Sequence, residues 1–460
     1  MKILFVSHTA GWAGAEHILY LLLQGLNRGK YEPLVVLPGH GLLEEKVKQL
    51  GIETRVADLA WWYDLHESPP LNFVHGLKDR VQTLARLIQN EKIDLVFTTT
   101  VTVPEGALAA CLSGVPHLWY LCELLRSDSN LRPFVNPVLF CNLLESFCNK
   151  FTADSQTAKE EIQPYFKTKE VEVIHPGLPL SKKRENAESP ERQPENTGTS
   201  KVCFVGTIAF SKGLECLARA AEQVLDELPE TQFIFIGPDG GARDTLETRL
   251  KKFRGGRTFQ FLGFRGDILE QMMGCDLLVL PSHAESFGLV LLEAMSLAKP
   301  VIATRCGGPE EIVVDRETGI LVPVNDPPAL ARAITFLLKN PSERNRMGRK
   351  GKERAAKVFA YEEFVKKFED LFDELSLKKS ETVYPREGLH LLLNLLDEIV
   401  LIKKDTWKEM EERGWRLKKF ERLIETIYQN PVYRFGRHVK RSLWNLSGNG
   451  AKSHEARHRN

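Results

Sequence analysis

No apolar run in the sequence reaches the 18 or so residues that a membrane-crossing helix needs. Cysteine is sparse and scattered: the eight residues show no C-x-x-C or other metal-ligand spacing, which points to reduced thiols in a cytosolic protein. A net charge of +1 removes any global bias toward nucleic acid. The opening MKILFVSH runs into Gly and Ala where a signal peptide would carry its apolar core, so it is expected to be a first strand. The turn after it, HTAGWAGAEH, lacks the G-x-G-x-x-G spacing, and the second strand, PLVVL, ends in Pro-Gly where a dinucleotide fold would place an acidic residue. These two absences disfavour a nicotinamide dehydrogenase.

What the chain does contain is one unit repeated: a short apolar strand, a glycine-bearing or polar turn, and an amphipathic helix. KILFVSH, PLVVL, DLVFTTT, HLWYL and KFTADS are the strands of the first part, with helices such as Glu16 to Asn27 and Leu77 to Gln89 between them. Strands alternating with helices predict right-handed crossovers and a parallel sheet covered on both faces. The stretch from Ser181 to Ser200 has no apolar periodicity and is rich in Pro, Ser, Asn and charge, as expected of a linker. Beyond it the pattern restarts with VCFVG, FIFIG, FQFLG, LLVLPS and VIATRC. A chain of 460 residues exceeds what one core supports, so two α/β domains are expected, 1–180 and 201–360, facing a cleft at the carboxyl ends of their strands.

The stretch HAESFGLVLLEAMSLAKP, His283 to Pro300, poses the chemical question. Glu293 interrupts a run from Phe287 to Ala298 that is apolar on every side at 3.6 residues per turn, and a glutamate in a buried helix needs a partner. One candidate partner is an arginine such as Arg305; another is a ligand diol such as a ribose. Glu285 lies in the loop after LLVLPS, Ser286 is placed to cap the helix beginning at Phe287, and Gly288 permits close approach of a ligand to the backbone. In VGTIAFSKG, Lys212 and Gly213 open a helix after a strand. Amides at a helix start and an ammonium converge there, which suits a diphosphate. The turn RCGGPEEIV brings Gly307, Gly308 and Pro309 to the same side.

These residues resemble the retaining GT-B glycosyltransferases of family 4. Glu285 to Glu293 is similar to their E-x7-E motif, followed by the similar KPVIATRCGGPEEIV and TGILVPVNDPPALARAI, and the resemblance covers about residues 1 to 376. It implies two Rossmann-like parallel-sheet domains, an acceptor domain (1–180) and a nucleotide-sugar donor domain (201–360), with residues 361–378 crossing back; residues 379–460, which the resemblance does not cover, are expected from their own pattern to be a basic helical extension. It further implies that Glu293 holds the ribose and that Glu285 stands against the transferred sugar. Ser286, Phe287, Gly288 and Leu289 would supply backbone around sugar and diphosphate, and Lys212, with Gly206 and Gly213 beside it, would meet the diphosphate. Gly14 resembles the glycine of the acceptor-side loop. Two positions depart from the family pattern. Thr207 stands where many members have an arginine, and Cys122-Glu123 stands where many have His-Asp, so Glu123 is expected to take over part of that role, or His117 to reach the cleft, the alternative for His117 being a strand histidine that faces a helix. No cofactor beyond the sugar nucleotide is implied, and no metal, since no D-x-D cluster lies near the cleft.

The acceptor is read from fewer residues. Trp61, Trp62 and Tyr63 lie together near the cleft side, where aromatic faces suit a sugar or a lipid carrier, or a hydrophobic lid. From Lys403 onward 15 Lys/Arg oppose 7 Asp/Glu, and Val432, Phe435, Val439, Leu443 and Leu446 make an apolar stripe flanked by Arg434, Arg437, Lys440 and Arg441. Such a helix suits an anionic membrane surface or the enzyme's own flank. The expected function is a cytoplasmic transferase, peripheral on the inner membrane face, moving sugar to a glycan or lipid-linked acceptor in lipopolysaccharide, O-antigen or exopolysaccharide synthesis. The alternatives are a soluble-acceptor enzyme resembling sucrose or trehalose synthases, and a non-catalytic nucleotide-sugar binding protein.

Overall fold

A computed structural model describes residues 1–377 except 65–72, 126, 128–131, 134–136, 180–198 and 255–257, together with Leu389 and Leu393. The linker expected at 181–200, save its last two residues, and the extension at 379–460, save those two leucines, lie outside the described residues.

The strands run β1 (Lys2–Val6), β2 (Glu32–Leu37), β3 (Glu53–Val56), β4 (Tyr63–Asp64), β5 (Leu95–Thr99), β6 (His117–Leu121), β7 (Arg132–Pro133), β8 (Lys150–Ala153) and β9 (Val171–Val173) in the first half. In the second half they are β10 (Lys201–Val205), β11 (Gln232–Ile236), β12 (Phe259–Gly263), β13 (Leu277–Leu280), β14 (Val301–Thr304) and β15 (Gly319–Val322). Seven strands form one parallel sheet in the order β3-β2-β1-β5-β6-β8-β9, and six form a second in the order β12-β11-β10-β13-β14-β15. Central strands such as LVFTT and HLWYL are buried throughout, the pattern of parallel strands covered on both faces. The β3 edge reads ETRV and is largely exposed, its charges discouraging further strand addition. This is the GT-B architecture of two Rossmann-like sheets.

Strand order reverses between β1 and β5 in the first sheet and between β10 and β13 in the second. At such switch points the loops on either side diverge and leave a crevice at the strands' carboxyl ends. The helices that frame the crevices are α1 (Gly14–Gly25), α2 (Gln156–Ile162), α3 (Leu214–Glu227), α4 (Leu289–Ser296) and α5 (Pro309–Ile312). A last helix, α6 (Tyr361–Leu377), returns to the first sheet. Tyr361 Oη donates to the Leu21 carbonyl (2.8 Å), Tyr31 Oη donates to the Glu369 carbonyl (3.0 Å), and Phe372 packs edge-on against Phe5 and Phe97. Leu389 and Leu393, one helical turn apart in sequence, are buried in the first domain's other core, with Trp62, Trp119 and Phe140.

Candidate functional site: a cleft between two switch points

In the second domain the loop after β10 and the loop after β13 stand on the two sides of the switch point. The first ends in a tight turn, Phe210–Lys212, and Gly213 at φ 67° is the N-cap of α3. A Cβ on Gly213 would lie 1.8 Å from the Pro281 carbonyl oxygen, so only glycine lets the two loops meet. Their meeting places Lys212 Nζ 2.8 Å from Glu285 Oε2, which also accepts from Ser282 Oγ at 3.1 Å. Gly206 follows β10, and Thr207 after it is half-buried. The loop of Gly307 and Gly308 packs against the Glu285 backbone: Glu285 N donates to Cys306 O (3.2 Å) and Gly308 N to Glu285 O (2.9 Å). A Cβ on Gly308 would lie 2.1 Å from Ser286 O, so this packing also requires glycine.

Helix α4 starts at Leu289, after Gly288 in the left-handed region (φ 96°), and Phe287 is buried beside it. The expectation that Ser286 caps this helix is corrected: no side chain caps it, and Ser286 Oγ donates instead to Asp154 Oδ1 of the first domain. Glu293 lies in the second turn of α4. It does not pair with Arg305, which bonds Asp315 Oδ2 at 2.8 Å. Glu293 Oε1 instead faces His17 Nδ1 on α1, across the cleft, at 3.2 Å.

The first-domain wall begins with the turn after β1. Glu16 folds back beneath it, accepting from Ala13 N (2.9 Å) and Thr9 Oγ1 (3.4 Å), with His8 Nε2 3.4 Å away. Gly14 opens α1, exposed, with nothing within 4 Å of where a Cβ would be, so crowding does not require glycine there. Glu123, after β6, accepts from Val101 N (3.1 Å) and Cys122 N (2.9 Å), tying two strand ends together; burial pushes its carboxyl up to about 7. Burial also pushes Asp154 up to about 8, with Glu123 and Glu311 adding in the same direction. Glu311, at the start of α5, crosses the cleft. It accepts from Gln156 N and Thr157 N (2.8 Å each) and Thr157 Oγ1 (2.9 Å), and meets His175 Nε2 at 2.8 Å. Among the described residues no group of three or more His, Cys, Asp or Glu is arranged to hold a metal ion.

Residues 12–182 match the family model described as Glycosyltransferase Family 4, and residues 185–354 match that of Glycosyl transferases group 1. The chain is a glycosyltransferase of the GT-B type. It is 28% identical over 319 residues to an uncharacterized glycosyltransferase of Methanocaldococcus jannaschii, which covers 68% of this chain and 85% of the relative. It is 33% identical over 186 residues to a D-inositol 3-phosphate glycosyltransferase of Corynebacterium diphtheriae, 39% of this chain and 43% of that relative, so less than half of the latter is spanned. HepE of Anabaena in complex with UDP-glucose superposes with a TM-score of 0.66 at 23% identity, covering 81% of this chain and all of that one. Sucrose-phosphate synthase of Thermosynechococcus elongatus superposes at 0.64 and 20% identity, over 82% and 99%.

Two acceptor-side expectations for this glycosyltransferase are corrected. Trp62 is a core residue: its indole stacks on Trp119 (6.3 Å, 11°), meets Phe140 edge-on at 4.8 Å and donates to the Val101 carbonyl. His117 opens β6, at the end of the sheet away from the cleft. It is fully buried against Thr98 Oγ1 (2.8 Å), and burial drives its imidazole down to about 3. Trp61 stays near the cleft, its ring 5.3 Å from His8 and its Nε1 donating to His8 O at 3.2 Å. Asp154, Glu311, His175 and His17 reach the cleft without having been singled out from sequence. The only sequence signal was position, since each lies within a few residues of a strand's carboxyl end or a helix start.

Proposed function

We propose that the chain moves a sugar from a nucleotide-sugar donor to a glycan or lipid-linked acceptor with retention of anomeric configuration. The observation that carries this is the meeting of Lys212 and Glu285 at the second domain's switch point, with Glu293 farther along the same wall. A diphosphate leaving group gains negative charge as the glycosidic bond breaks, so a fixed ammonium and the amides around Gly213 stabilise the transition state more than the ground state. On this reading Lys212 turns from Glu285 to the diphosphate when donor binds. Glu285 is then released to the hydroxyls of the transferred sugar, Ser286 to Leu289 line sugar and diphosphate with backbone, and Glu293 accepts from the ribose. Thr207 brings no charge, so Lys212 carries the cationic role.

The same reading assigns acceptor recognition to residues 1–180, with Trp61 as its aromatic face and the Gly14 turn beside it, and donor recognition to 201–360. Glu123, poised near neutrality by burial, supplies the acceptor-side carboxyl in place of the family's His-Asp pair. Attack from the leaving-group face, without a metal, is the proposed route. The HepE likeness supports a UDP-sugar donor. The basic stretch beyond Lys403 supports a lipid-linked acceptor of surface-polysaccharide type at an anionic inner membrane face. No described helix is long and apolar enough to cross a membrane. The likeness to sucrose-phosphate synthase favours a second reading, a soluble acceptor. A thermal-shift screen against UDP-, GDP-, ADP- and dTDP-sugars tests the donor, a ligand at 100 times its dissociation constant adding about 2.7 kcal/mol. Sedimentation with anionic liposomes separates the acceptor readings: the lipid-linked one requires binding at low salt that is lost when the chain ends at Gln429.

A further inference from the structure

Three loops of the second domain converge on Ser282, two residues past the end of β13. Its carbonyl accepts from Thr304 Oγ1 at the end of β14 (2.6 Å), and the amide of the next residue, His283, donates to Ser211 O in the loop after β10 (3.1 Å). Ser282 and Thr304 are both fully buried. The serine is thus braced on both sides, and its hydroxyl donates to Glu285 Oε2 at 3.1 Å. The same oxygen takes the Lys212 ammonium at 2.8 Å, whereas Glu285 Oε1 accepts from none of the described residues. The Glu285 side chain is only 18% exposed, so little water is at hand to replace a hydrogen bond lost there.

On the proposed reaction course Lys212 leaves Oε2 for the diphosphate. A glutamate side chain that loses its ion pair regains rotamer freedom unless a second, fixed group still holds it. The braced hydroxyl is such a group. We infer that Ser282 is a positioning residue for Glu285: it keeps Oε2 when Lys212 turns away, so that Oε1 stays aimed at the transferred sugar, with Thr304 bracing Ser282 in turn. The inference rests on the assignment of Glu285 to that sugar. It adds that lysine and serine share one oxygen so that the cation can leave without freeing the carboxylate. A nucleoside diphosphate alone, which carries no transferred sugar, does not depend on this arrangement.

The test compares wild type, Ser282→Ala, Thr304→Val, Glu285→Ala and the double variant Ser282→Ala/Glu285→Ala, each first checked for folding by circular dichroism and melting. Single-turnover hydrolysis of UDP-, GDP-, ADP- and dTDP-glucose reads the bond-breaking rate. Calorimetry with the matching nucleoside diphosphate reads affinity for the part of the donor that lacks the sugar. On the scale of a hydrogen bond to a charged group, Ser282→Ala lowers the rate at least tenfold and keeps nucleoside-diphosphate affinity within twofold. Thr304→Val lowers the rate at least threefold with the same affinity. In the Glu285→Ala background the serine substitution costs less than twofold further. A loss below tenfold in folded Ser282→Ala overturns the inference, as does a tenfold cost that persists without Glu285, or nucleotide affinity lost in step with rate. If Ser282→Ala does not fold, Thr304→Val decides, and a loss below threefold overturns it. A wild-type rate in Glu285→Ala shows instead that the reading of Glu285 is wrong, and no hydrolysis by wild type shows that the donor reading is.

Discussion

Replacing Lys212 by alanine removes the cation that, among the described residues, stands against Glu285 at the second domain's switch point. The ammonium is 2.8 Å from Glu285 Oε2 and its side chain is 31% exposed, so its surroundings are neither bulk water nor dry interior. At an effective dielectric of about 20, unit charges about 4 Å apart interact by about 4 kcal/mol. A transferring diphosphate already carries charge in the ground state, and only the charge it gains counts toward rate. The expected loss of transition-state stabilisation is therefore about 2 to 4 kcal/mol, the range found for preorganised electrostatic groups. That corresponds to about 30- to 900-fold in kcat/KM. Folding should change little, because a half-exposed ion pair contributes about 0 to 1 kcal/mol. The assay is initial-rate transfer or donor hydrolysis at several donor concentrations, with a melting curve on the same sample. A variant that melts like wild type and keeps activity within threefold refutes the role given to Lys212.

Glu293→Gln should weaken donor affinity about tenfold or more with a smaller effect on kcat, since hydrogen bonds to a charged group contribute about 1.5 to 3 kcal/mol, whereas Glu285→Gln should chiefly lower kcat. Equal loss of turnover in both with unchanged donor affinity would show the roles to be wrong. Asp154 predicts a pH effect on stability. Its folded carboxyl is raised to about 8 from 3.8, so the folded state holds the proton more tightly, and the stabilisation present below pH 3.8 is lost as pH rises toward 8. Unfolding free energy should thus fall between pH 5 and 8 more steeply in wild type than in Asp154→Asn, by at most about 1.4 kcal/mol per pH unit, and parallel curves from denaturant melts would contradict this. Activity should survive EDTA; loss reversed by Mn²⁺ would end the metal-free route.

The two sheets were legible because parallel strands buried on both faces must be short apolar runs, and KILFV, KVCFV and LLVL are such runs, each followed by turn residues. Helix α4 was legible for the same reason, though it begins two residues later than the apolar pattern suggests because Gly288 adopts a left-handed conformation. What sequence could not reveal depends on contacts between distant segments. Ser286 has the chemistry of a cap, yet Asp154, 132 positions away, takes its hydroxyl. Trp61 and Trp62 are adjacent and equally aromatic, but only the fold decides that one turns to His8 and the other into the core. His117 follows the same logic: its strand reaches the cleft, but it stands at the strand's other end. His17 carried no signal, since nothing in GAEHILYL shows that α1 will face Glu293.

The central claim is that this cleft cleaves a sugar from a nucleotide with retention, through Lys212. It is tested most directly by following donor hydrolysis in the absence of acceptor by proton NMR, beginning with UDP-α-glucose and proceeding through the sugar nucleotides that raise the melting temperature. The account predicts that the α anomer of the free sugar appears first, before mutarotation, and that Lys212→Ala suppresses its appearance at least 30-fold. First appearance of the β anomer, or release at an undiminished rate by Lys212→Ala, would contradict it.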